Sequence, residues 1–508
     1  MPPPAERTSA PAWAAHLPEG LDPGSLDLLA EESLPAAWRR RAEADPDRPA
    51  LWAAGPGWLR RGELEAASRR AAGRLHLAGL AAGDRVLVSA ATSMELVVAY
   101  LAALRLGLVV VPANTAYRER EIAHIVADAE PRAVIVDDPR RGEWARRAAG
   151  GALLIAGPEV DLPDGQAPEL DRVGRADAAL ICYTSGTTGA PKGAVLRHGN
   201  LLASAEALRL AWRWAQDDRL LLALPLFHIH GLGVGLHGTL LAGASAVLLP
   251  RFDVDGVLDA AREHQATLFF GVPTMYARLA GSPRAGELSG LRLCVSGSAA
   301  LPPTVFQRLA EGAGQRVLER YGMTETIMNV SNPYDGERRP GTVGLPLPGV
   351  EVRLAGERRE VLLRGPNVFD GYWRNPLATA EAFDQDGWFR TGDLGSFDDA
   401  GYLRIEGRSK ELIITGGYNV HPREVEELLL EHPGVAEAAV VGTPSEEWGE
   451  VVTAFVVPAD PGDPPASEEL LAFAAERLAP FKRPRLVRYL PSLPRNALGK
   501  VVKHQLRG

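Results

Sequence analysis

A run of hydroxyl and glycine residues followed by one lysine is the segment of the chain best suited to chemistry. The segment "YTSGTTGAPKG" begins at Tyr183, at the end of an apolar strand pattern, and contains Lys192. Backbone N–H groups and hydroxyls in such a loop can surround a polyphosphate, and glycines let the backbone approach it closely. A Walker loop requires glycine before the lysine and Ser or Thr after it, whereas Pro191 and Gly193 flank Lys192. The segment therefore predicts a phosphate-binding loop of another type.

Lysine is rare in this chain, and its positions are informative. Of 55 basic residues only five are lysine: Lys192, Lys410, Lys482, Lys500 and Lys503. Where arginine serves as the general cation, a remaining lysine indicates a place that needs a compact, flexible ammonium. Lys192, Lys410 and Lys500 are therefore candidate functional residues, and Lys482 and Lys503 are expected to be chance survivors.

Length and charge exclude several classes of protein. The 508 residues exceed what one hydrophobic core serves, so two or more domains are expected. The net charge of -9 argues against a general nucleic-acid or anionic-membrane surface. Cys182 and Cys294 lie in apolar runs, which predicts buried thiols rather than a disulfide or a metal site. The first residues lack a secretory pattern, so we expect a cytoplasmic protein without nucleic-acid or membrane partners.

The hydrophobic pattern predicts an α/β fold. From about residue 34 to 240, amphipathic helix patterns alternate with short apolar strand patterns, which is typical of parallel or mixed sheets covered by helices. After about Gly341, short strands and turns predict a β subdomain, and the last hundred residues predict a small α+β unit. The uncharged stretch Gly231–Pro250 predicts a buried helix running into a buried strand rather than a membrane span.

Five motifs in this order resemble the signatures of the acyl-adenylate-forming superfamily, which includes acyl-CoA synthetases, luciferases and peptide-synthetase adenylation domains. After the loop come "RYGMTET" from Arg320, "GWFRTGDLG" from Gly387, "GRSKELIITGGYNV" from Gly407 and "PRNALGK" ending at Lys500. The resemblance implies that a carboxylate is joined to the α-phosphate of ATP, pyrophosphate is expelled, and the acyl group passes to a thiol. Mg²⁺, ATP and CoA are thus expected.

The resemblance also implies a domain organisation. A large N-terminal domain, residues 1–407, would hold the acid, ATP and metal sites. A hinge at 408–411 would join it to a small mobile domain, residues 412–508, that carries the catalytic lysine. Lys410 occupies the hinge position, and Gly416 and Gly417 would line the tunnel for CoA.

Individual roles are carried over from the family's motifs. The implied catalytic residues are Lys500, Thr324, Glu325 and His228, and Glu325 is the expected Mg²⁺ ligand because Mg²⁺ prefers hard oxygen donors. The implied ATP-binding residues are Thr184, Ser185, Gly186, Thr187, Thr188, Gly189, Lys192, Ser298, Ala299, Glu319, Arg320, Tyr321, Thr324, Asp393, Arg408 and Lys500. Acetylation of Lys500 by a lysine acetyltransferase would neutralise its ammonium and silence adenylation.

Arg292 is the residue from which the acid is inferred. It begins a strand pattern whose far end leads to Ser298, and from position alone it either faces solvent or holds a second carboxylate. The segments "ERYGMTETIMNVSNPYDGERRPGTVG" and "PLFHIHGLGVG" resemble the malonyl-CoA synthetase branch, in which an arginine at this place grips the distal carboxylate. With His228, Ser298 and Met323 it would form a short pocket for malonate or another small dicarboxylate, and one extra methyl would admit methylmalonate.

Two alternatives remain open at this point. One is a ligase for another short-chain or aryl acid, and the other is a stand-alone adenylation enzyme that loads a carrier protein. Amino-acid adenylation domains place an aspartate shortly after the segment that contains His228, and this chain has "HGLGVG" there instead. Both alternatives keep the nucleotide motifs and differ only in the acid pocket or the acceptor.

Overall fold

The structure is a computed structural model that describes residues 11–151, 153–184, 191–415, 418–445, 447–496 and 500–507. The helices in these ranges are α1 Leu34–Ala44, α2 Arg61–Leu77, α3 Met94–Leu106, α4 Glu119–Ala129, α5 Pro139–Ala148, α6 His198–Ala211, α7 His237–Ala242, α8 Val254–Glu263, α9 Pro273–Ala280, α10 Pro303–Ala313, α11 Pro376–Ala382, α12 Pro422–Leu429 and α13 Ser467–Ala475.

The strands in the same ranges are β1 Pro49–Ala53, β2 Gly57–Arg60, β3 Arg85–Ser89, β4 Val109–Pro112, β5 Ala133–Val136, β6 Leu154–Ala156, β7 Ala178–Thr184, β8 Lys192–Arg197, β9 Arg219–Leu222, β10 Ser245–Leu248, β11 Leu268–Gly271, β12 Leu293–Ser296, β13 Leu318–Tyr321, β14 Val330–Ser331, β15 Leu345–Pro346, β16 Glu351–Ala355, β17 Glu360–Arg364, β18 Gly371–Tyr372, β19 Phe389–Phe397, β20 Leu403–Arg408, β21 Ile413–Thr415, β22 Tyr418–Val420, β23 Val435–Ser445, β24 Gly449–Pro458 and β25 Leu486–Tyr489.

The chain divides into two compact units. The first comprises Met1–Glu351 and Leu363–Phe389, and the second comprises Val352–Leu362 and Arg390–Gly508. The hinge predicted at 408–411 lies inside the second unit, at the end of β20 and the turn that follows it, and it stays a prediction.

Two large sheets form the first unit. One has the order β15-β14-β13-β12-β11-β9-β10-β1-β2 and the other β18-β8-β7-β4-β3-β5-β6. The strands from β13 to β1 run parallel, and β10, β11 and β12 are buried along their whole length. Strands buried on both faces require helices on both sides, which explains their continuous apolar sequence. The predicted α/β class is confirmed.

The uncharged stretch after β9 folds as predicted. His230–Leu236 forms a short π-helix that leads into α7, and α7 is followed by the buried strand β10. In the described part of the chain no helix is both long and apolar enough to cross a membrane. Cys182 and Cys294 are buried and unpaired, and burial raises the pKa of each thiol to about 12.

Two smaller sheets belong chiefly to the second unit. Strands β16-β17-β19-β20 form a four-stranded sheet, and β22-β21-β24-β23 form another, with β25 paired to β24. Helices α12 and α13 cover the second of these sheets, and its core includes Ile413, Val425, Leu429, Val440 and Leu470. The predicted α+β character of the C-terminal part is therefore confirmed.

Candidate active site

The polar groups of the first unit gather where its parallel strands end. Because parallel strands share their carboxyl ends, the segments after β9, β12 and β13 lie along one edge of the sheet. Those segments contain His228, Ser298 and Thr324, three of the predicted site residues. Ligands of open α/β sheets bind at this edge, so the fold agrees with the position of the motifs.

The two ends of the predicted phosphate loop are held by a strand pair. Strands β7 and β8 run antiparallel with Thr184 opposite Lys192, and the Thr184 hydroxyl lies 3.5 Å from the Lys192 carbonyl oxygen. This register brings the first and last polar residues of the loop together. The predicted phosphate-binding residues between them, Ser185, Gly186, Thr187, Thr188 and Gly189, lie outside the described residues.

A cation, an aromatic ring and a carboxylate are joined beside this loop. The Lys192 ammonium lies 5.2 Å from the centre of the Tyr372 ring, a distance at which the ring attracts a cation. The Tyr372 hydroxyl donates to Glu325 Oε1 at 3.0 Å. Tyr372 therefore positions the predicted metal ligand and contacts the predicted phosphate ligand. No signal in the sequence points to Tyr372, because a two-residue strand such as β18 carries no periodicity.

The turn that presents Thr324 and Glu325 is tight and strained. A Cβ on Gly322 would collide with the Ile327 carbonyl oxygen, and Ile327 adopts a left-handed backbone with φ 56°, which is rare for a β-branched residue. The Asn367 amide donates to the carbonyls on both sides of Ile327, at 2.8 and 2.9 Å. These bonds hold a conformation of the kind that clusters at functional sites. Glu325 is buried within it.

Two histidines and a serine are linked at the ends of β9 and β12. The His230 backbone N–H donates to His228 Nδ1 at 3.2 Å, and His230 Nδ1 lies 3.2 Å from the Ser298 hydroxyl. Ser298 has a left-handed backbone with φ 71°. Burial lowers the pKa of His230, and the positive charges of Arg320 and His228 lower it further. His230 is thus neutral and joins two residues that the sequence predicts.

The remaining nucleotide residues of the first unit lie around the end of β13. Tyr321 ends the strand and is half-buried, whereas Ala299 is exposed on the neighbouring loop. Glu319 Oε1 accepts a hydrogen bond from the Leu301 backbone N–H at 3.0 Å. Glu319 therefore holds the loop that follows β12. Their predicted contacts with ATP stay predictions.

Arg292 lies at the wrong end of β12 for the predicted role. Its guanidinium donates to both carboxylate oxygens of Asp218, from Nε at 2.6 Å, and to the carbonyl oxygens of Trp212 and Arg213. Strand β12 separates it from Ser298 by roughly 20 Å, since a strand rises about 3.3 Å per residue. The prediction that Arg292 binds a second carboxylate of the substrate is therefore corrected, because an internal carboxylate already fills that place.

Met323, predicted to shorten the acid pocket, contacts Tyr321, a predicted nucleotide residue. It is half-buried, and its sulfur is 3.9 Å from the Tyr321 hydroxyl. Since Met323 follows β13, it lies on the carboxyl side of the sheet. Its contact with an acid stays a prediction.

The second unit brings another group of predicted residues together. Asp393 and Arg408 face each other on β19 and β20, and Arg408 Nε lies 3.0 Å from Asp393 Oδ1. The Asp393 backbone N–H donates to the Thr391 hydroxyl at 3.0 Å, and that hydroxyl donates to the Val361 carbonyl oxygen at 2.7 Å. These contacts fix a buried carboxylate beside a guanidinium, the pair predicted for the ribose.

The charges of Asp393 and Arg408 both act on the Lys500 ammonium. The residue as a whole is exposed, but loss of water around the ammonium lowers its pKa. The positive charge of Arg408 lowers this pKa further, whereas the negative charges of Asp393 and Glu411 raise it. Its backbone N–H donates to Asn496 Oδ1 at 3.0 Å, and its carbonyl accepts from the Asn496 N–H. Lys500 is therefore held by its own turn rather than by an ion pair of its side chain.

The neighbouring lysines differ from Lys500. Lys503, expected to be a chance survivor, lies 2.7 Å from Glu426 and 3.5 Å from Glu411, and so it holds the C-terminal turn against the unit. Lys410 lies in the turn Ser409–Glu411, and its role as a hinge stays a prediction. The tunnel residues Gly416 and Gly417 lie outside the described residues.

Comparison with known proteins agrees with the order of these motifs. The AMP-binding enzyme family matches residues 38–373, and the AMP-binding enzyme C-terminal domain matches residues 424–500. A feruloyl-CoA synthase of an Amycolatopsis species is 38% identical over 92% of this chain and 97% of its own length. A malonate–CoA ligase of Arabidopsis thaliana is 37% identical over 84% of this chain and 79% of its own length.

Solved structures show the same likeness. ATP-bound MatB from Rhodopseudomonas palustris superposes with a TM-score of 0.89 at 41% identity, covering 94% of this chain and 98% of its own. A malonyl-CoA ligase in a ternary product complex with methylmalonyl-CoA and AMP has a TM-score of 0.64 at 46% identity, covering 88% and 97%. The chain therefore belongs to the AMP-binding enzyme family, within the acyl-adenylate-forming superfamily, and its fold and motif order are those of an acyl-CoA ligase.

Proposed function

We propose that the protein is an AMP-forming acid–CoA ligase that converts malonate, ATP and CoA to malonyl-CoA, AMP and pyrophosphate through a malonyl-adenylate. The observation that carries the proposal is the linked group of Lys192, Tyr372 and Glu325 beside the phosphate loop. It supplies a cation and a positioned carboxylate where a polyphosphate would be held. Such chemistry depends on charge neutralisation and positioning more than on covalent catalysis.

In the first half-reaction, a carboxylate oxygen of the acid attacks the α-phosphorus of ATP. The bond from that phosphorus to the bridging oxygen breaks, and pyrophosphate leaves with the electron pair. We assign Lys192 and the loop to the β- and γ-phosphates. The Thr324 hydroxyl, presented by the strained turn, would donate to the α-phosphate.

Glu325 fits a nucleotide-bound Mg²⁺. Among the described residues no three His, Cys, Asp or Glu side chains are grouped as metal ligands. Mg²⁺ on a nucleotide needs only one or two protein carboxylates, because phosphate oxygens and water complete its shell. The hydrogen bond from Tyr372 fixes the orientation of Glu325 Oε1, which suits such a ligand. When bound, the metal would neutralise charge on the departing pyrophosphate.

The second unit supplies the remaining groups of our assignment. Asp393 would accept from the two ribose hydroxyls, and Arg408 would add a donor to the same sugar. The Lys500 ammonium would stabilise the charge that develops at the α-phosphate during adenylation. Acetylation of Lys500 by a lysine acetyltransferase would remove that charge and stop the first half-reaction.

In the second half-reaction, the sulfur of CoA attacks the acyl carbon of the adenylate. The thioester bond forms, and the bond from the acyl carbon to the phosphate oxygen breaks, so that AMP leaves. Movement about Lys410 and a tunnel at Gly416 and Gly417 are part of this proposal. The thiol proton is released to solvent or to a neighbouring base.

Malonate is proposed as the acid on two grounds. Proteins named as a malonate–CoA ligase and a malonyl-CoA ligase are among those similar to this chain. His228 and Met323 are half-buried at the carboxyl edge of the sheet and would keep an acid pocket short. Methylmalonate would be accepted as well, since one extra methyl changes binding by only about 1–3 kcal/mol. A feruloyl-CoA synthase of similar identity supports the second candidate, a ligase for an aryl acid.

Pyrophosphate release tests the proposal. The acids are malonate, methylmalonate, acetate, octanoate and ferulate, each with Mg²⁺ and ATP, with and without CoA. We expect turnover on malonate and methylmalonate that CoA stimulates. Turnover on ferulate or a monocarboxylate alone would support the ligase activity but contradict malonate as the acid. Release that CoA does not stimulate would indicate a carrier protein as acceptor, and no release with any acid would contradict the function itself.

A further inference from the structure

Helix α4 is bonded to the strand that leads into the predicted phosphate loop. The Tyr183 hydroxyl, one residue before Thr184, donates to Asp128 Oδ2 of the helix at 2.5 Å. Burial and this contact both raise the pKa of Tyr183, so the hydroxyl keeps the proton that it donates. A hydrogen bond to a carboxylate is stronger than one between neutral groups. The incoming chain is therefore fixed to α4 directly before the first hydroxyl of the loop.

The same helix is bonded to the chain that leaves the loop. His124 Nε2 lies 3.0 Å from the carbonyl oxygen of Pro191, the residue before Lys192. Because a carbonyl oxygen only accepts, Nε2 carries the proton and donates. The His124 ring also meets the Tyr183 ring edge to face, with 6.1 Å between their centres. His124 and Asp128 are four positions apart, so they share one face of the helix.

Asp128 also holds the segment that carries Tyr372. Its carbonyl oxygen accepts from the Trp373 indole N–H at 3.0 Å, and the Trp373 backbone N–H donates to the Gly193 carbonyl oxygen at 2.7 Å. A Cβ on Gly193 would lie 2.6 Å from a methyl of Ile181, so this position has no room for a side chain. The end of α4 is thus tied to both strands of the loop and to the residue after Tyr372.

Apolar contacts hold α4 on the sheet independently of these polar groups. Four buried side chains of the helix belong to the core beneath it, namely Ile122, Ile125, Val126 and Ala129. His124 and Asp128 are only half-buried, and their side chains bond to the two ends of the loop. The two polar residues therefore determine where the loop ends lie rather than whether the helix packs.

We propose that His124 and Asp128 are positioning residues that place Lys192 and Thr184 for the β- and γ-phosphates of ATP. This rests on the proposed ligase function and deepens it. Neither side chain contacts the substrate in this assignment, since each acts through the residue that it holds. Their effect should therefore be confined to ligands that carry β- and γ-phosphates.

The affinities for ATP and for AMP test this assignment. Isothermal titration calorimetry gives the Kd of each nucleotide, with Mg²⁺, for wild type, His124→Phe and Asp128→Ala. The phenylalanine keeps an aromatic ring against Tyr183 but has no N–H for the Pro191 carbonyl. Glu119→Gln is the matched control, because Glu119 begins the same helix and pairs with Arg147 at 2.6 Å, with both side chains more than half exposed.

For His124→Phe and for Asp128→Ala we expect the Kd for ATP to rise about 10-fold, the usual effect of losing one hydrogen bond. The Kd for AMP should hold. His124→Gln supplies an amide N–H and Asp128→Asn an amide oxygen, so each should recover part of the affinity for ATP. Glu119→Gln should change neither Kd. Equal losses for ATP and AMP, or an unchanged Kd for ATP in both variants, would overturn the proposal.

The two half-reactions give a second readout. In His124→Phe the KM for ATP in pyrophosphate release should rise about 10-fold while kcat changes less, as for loss of binding in the ground state. Thioester formation from synthetic malonyl-adenylate should hold, because that substrate has no β- or γ-phosphate. A similar loss in both half-reactions would mean a general structural role and overturn the proposal.

Tyr183→Phe repeats the test if Asp128→Ala does not fold, because it removes the same hydrogen bond from the other side. The double variant Tyr183→Phe/Asp128→Ala should raise the Kd for ATP no further than either single change. Additive effects would overturn the role of Asp128 through Tyr183. Wild type that binds ATP no more tightly than AMP and releases no pyrophosphate with any acid would instead contradict the proposed function.

Discussion

Two arginines occupy opposite ends of neighbouring parallel strands and are treated differently by the fold. Arg292, at the amino end of β12, donates to Asp218 and to two backbone carbonyls. Arg320, near the carboxyl end of β13, keeps two nitrogens without partners. The two guanidinium groups therefore differ in whether the fold itself supplies their hydrogen-bond acceptors. The chain supplies acceptors for Arg292 and leaves two donors of Arg320 unmet.

The largest effect on stability is expected from a substitution of Arg292, at the amino end of β12. In Arg292→Met, Asp218 would keep a carboxylate that is only 5% exposed without its cation. Removing one partner of such a pair costs roughly 3–5 kcal/mol, which chemical denaturation would detect. The ratio of kcat/KM for malonate to that for 3-methylbutanoate, a monocarboxylate of similar shape, should hold.

Arg262→Met is the control for that change. Arg262 pairs with Asp259 at 3.1 Å, but both side chains are more than half exposed, so the variant should lose less than about 1 kcal/mol. A variant at Arg292 that keeps full stability and loses its preference for malonate would contradict the structural role of Arg292.

A second pair of residues extends the comparison to the second unit. Lys503 is engaged by Glu426 and Glu411, whereas the described residues give Lys500 no ion pair. Lys500→Ala should slow adenylation by about 10²–10³-fold, as loss of one preorganised donor does. Thioester formation from synthetic malonyl-adenylate should change little. Single-turnover assays of each half-reaction measure both rates.

Lys482→Ala is the matched control, since Lys482 pairs with Glu424 at 2.7 Å on the same unit and has no assigned role. It should leave both half-reactions intact. Equal losses in the two half-reactions of Lys500→Ala would reject the separate role of this lysine in adenylation.

A substitution of Tyr372 tests whether Glu325 binds Mg²⁺, because Tyr372 donates a hydrogen bond to Glu325. Tyr372→Phe removes the hydrogen bond to Glu325 Oε1 but keeps the ring beneath Lys192. Loss of a group that orients a metal ligand costs about 10–100-fold in metal affinity or activity. The Mg²⁺ concentration needed for half-maximal pyrophosphate release should rise by that factor, and saturating Mg²⁺ should restore the rate. A lower rate at every Mg²⁺ concentration would mean that Tyr372 acts on the nucleotide instead.

The sequence predicted the alternating fold and the residues that carry their own motif. Thr184, Lys192 and Glu325 could be named because each lies in a segment whose composition serves one chemistry. Tyr372 could not, because its hydroxyl reaches Glu325 across 47 positions of chain, a contact that no local pattern encodes. These contacts depend on the assembled sheet.

The prediction for Arg292 is wrong for a related reason. Its partner Asp218 lies 74 positions away, so the ion pair was invisible in the sequence. One local signal was present, however. Residue order alone puts Arg292 before β12 and Ser298 after it, and in a parallel sheet those are opposite edges. Since ligands of open α/β sheets bind at the carboxyl edge, that order argues against a substrate role for Arg292.

The smallest effect expected is a pH dependence of the unfolding free energy of Arg292→Met. Burial alone would raise the pKa of Asp218, but hydrogen bonds from Arg292, the Ala215 N–H and Thr267 lower it overall. A carboxyl group whose folded pKa is lowered adds stability above its unfolded pKa of about 3.9, and that stability is lost as pH falls through the folded pKa. In Arg292→Met burial is the largest influence that remains, against the hydrogen bonds from Ala215 and Thr267, and we expect the pKa of Asp218 to rise above its unfolded value.

Asp218 then contributes to stability with opposite pH dependence in wild type and in Arg292→Met. As pH falls from 7 toward 4, the variant binds a proton at Asp218 on folding and recovers stability, whereas wild type gains nothing from acid. The difference in unfolding free energy between them should therefore shrink, by at most about 1.4 kcal/mol per pH unit. Chemical denaturation at several pH values measures it, and the double variant Arg292→Met/Asp218→Asn should show no such trend. A difference that stays constant with pH would mean that Arg292 stabilises the amino end by packing rather than by charge, and the contrast with Arg320 would lose its electrostatic basis.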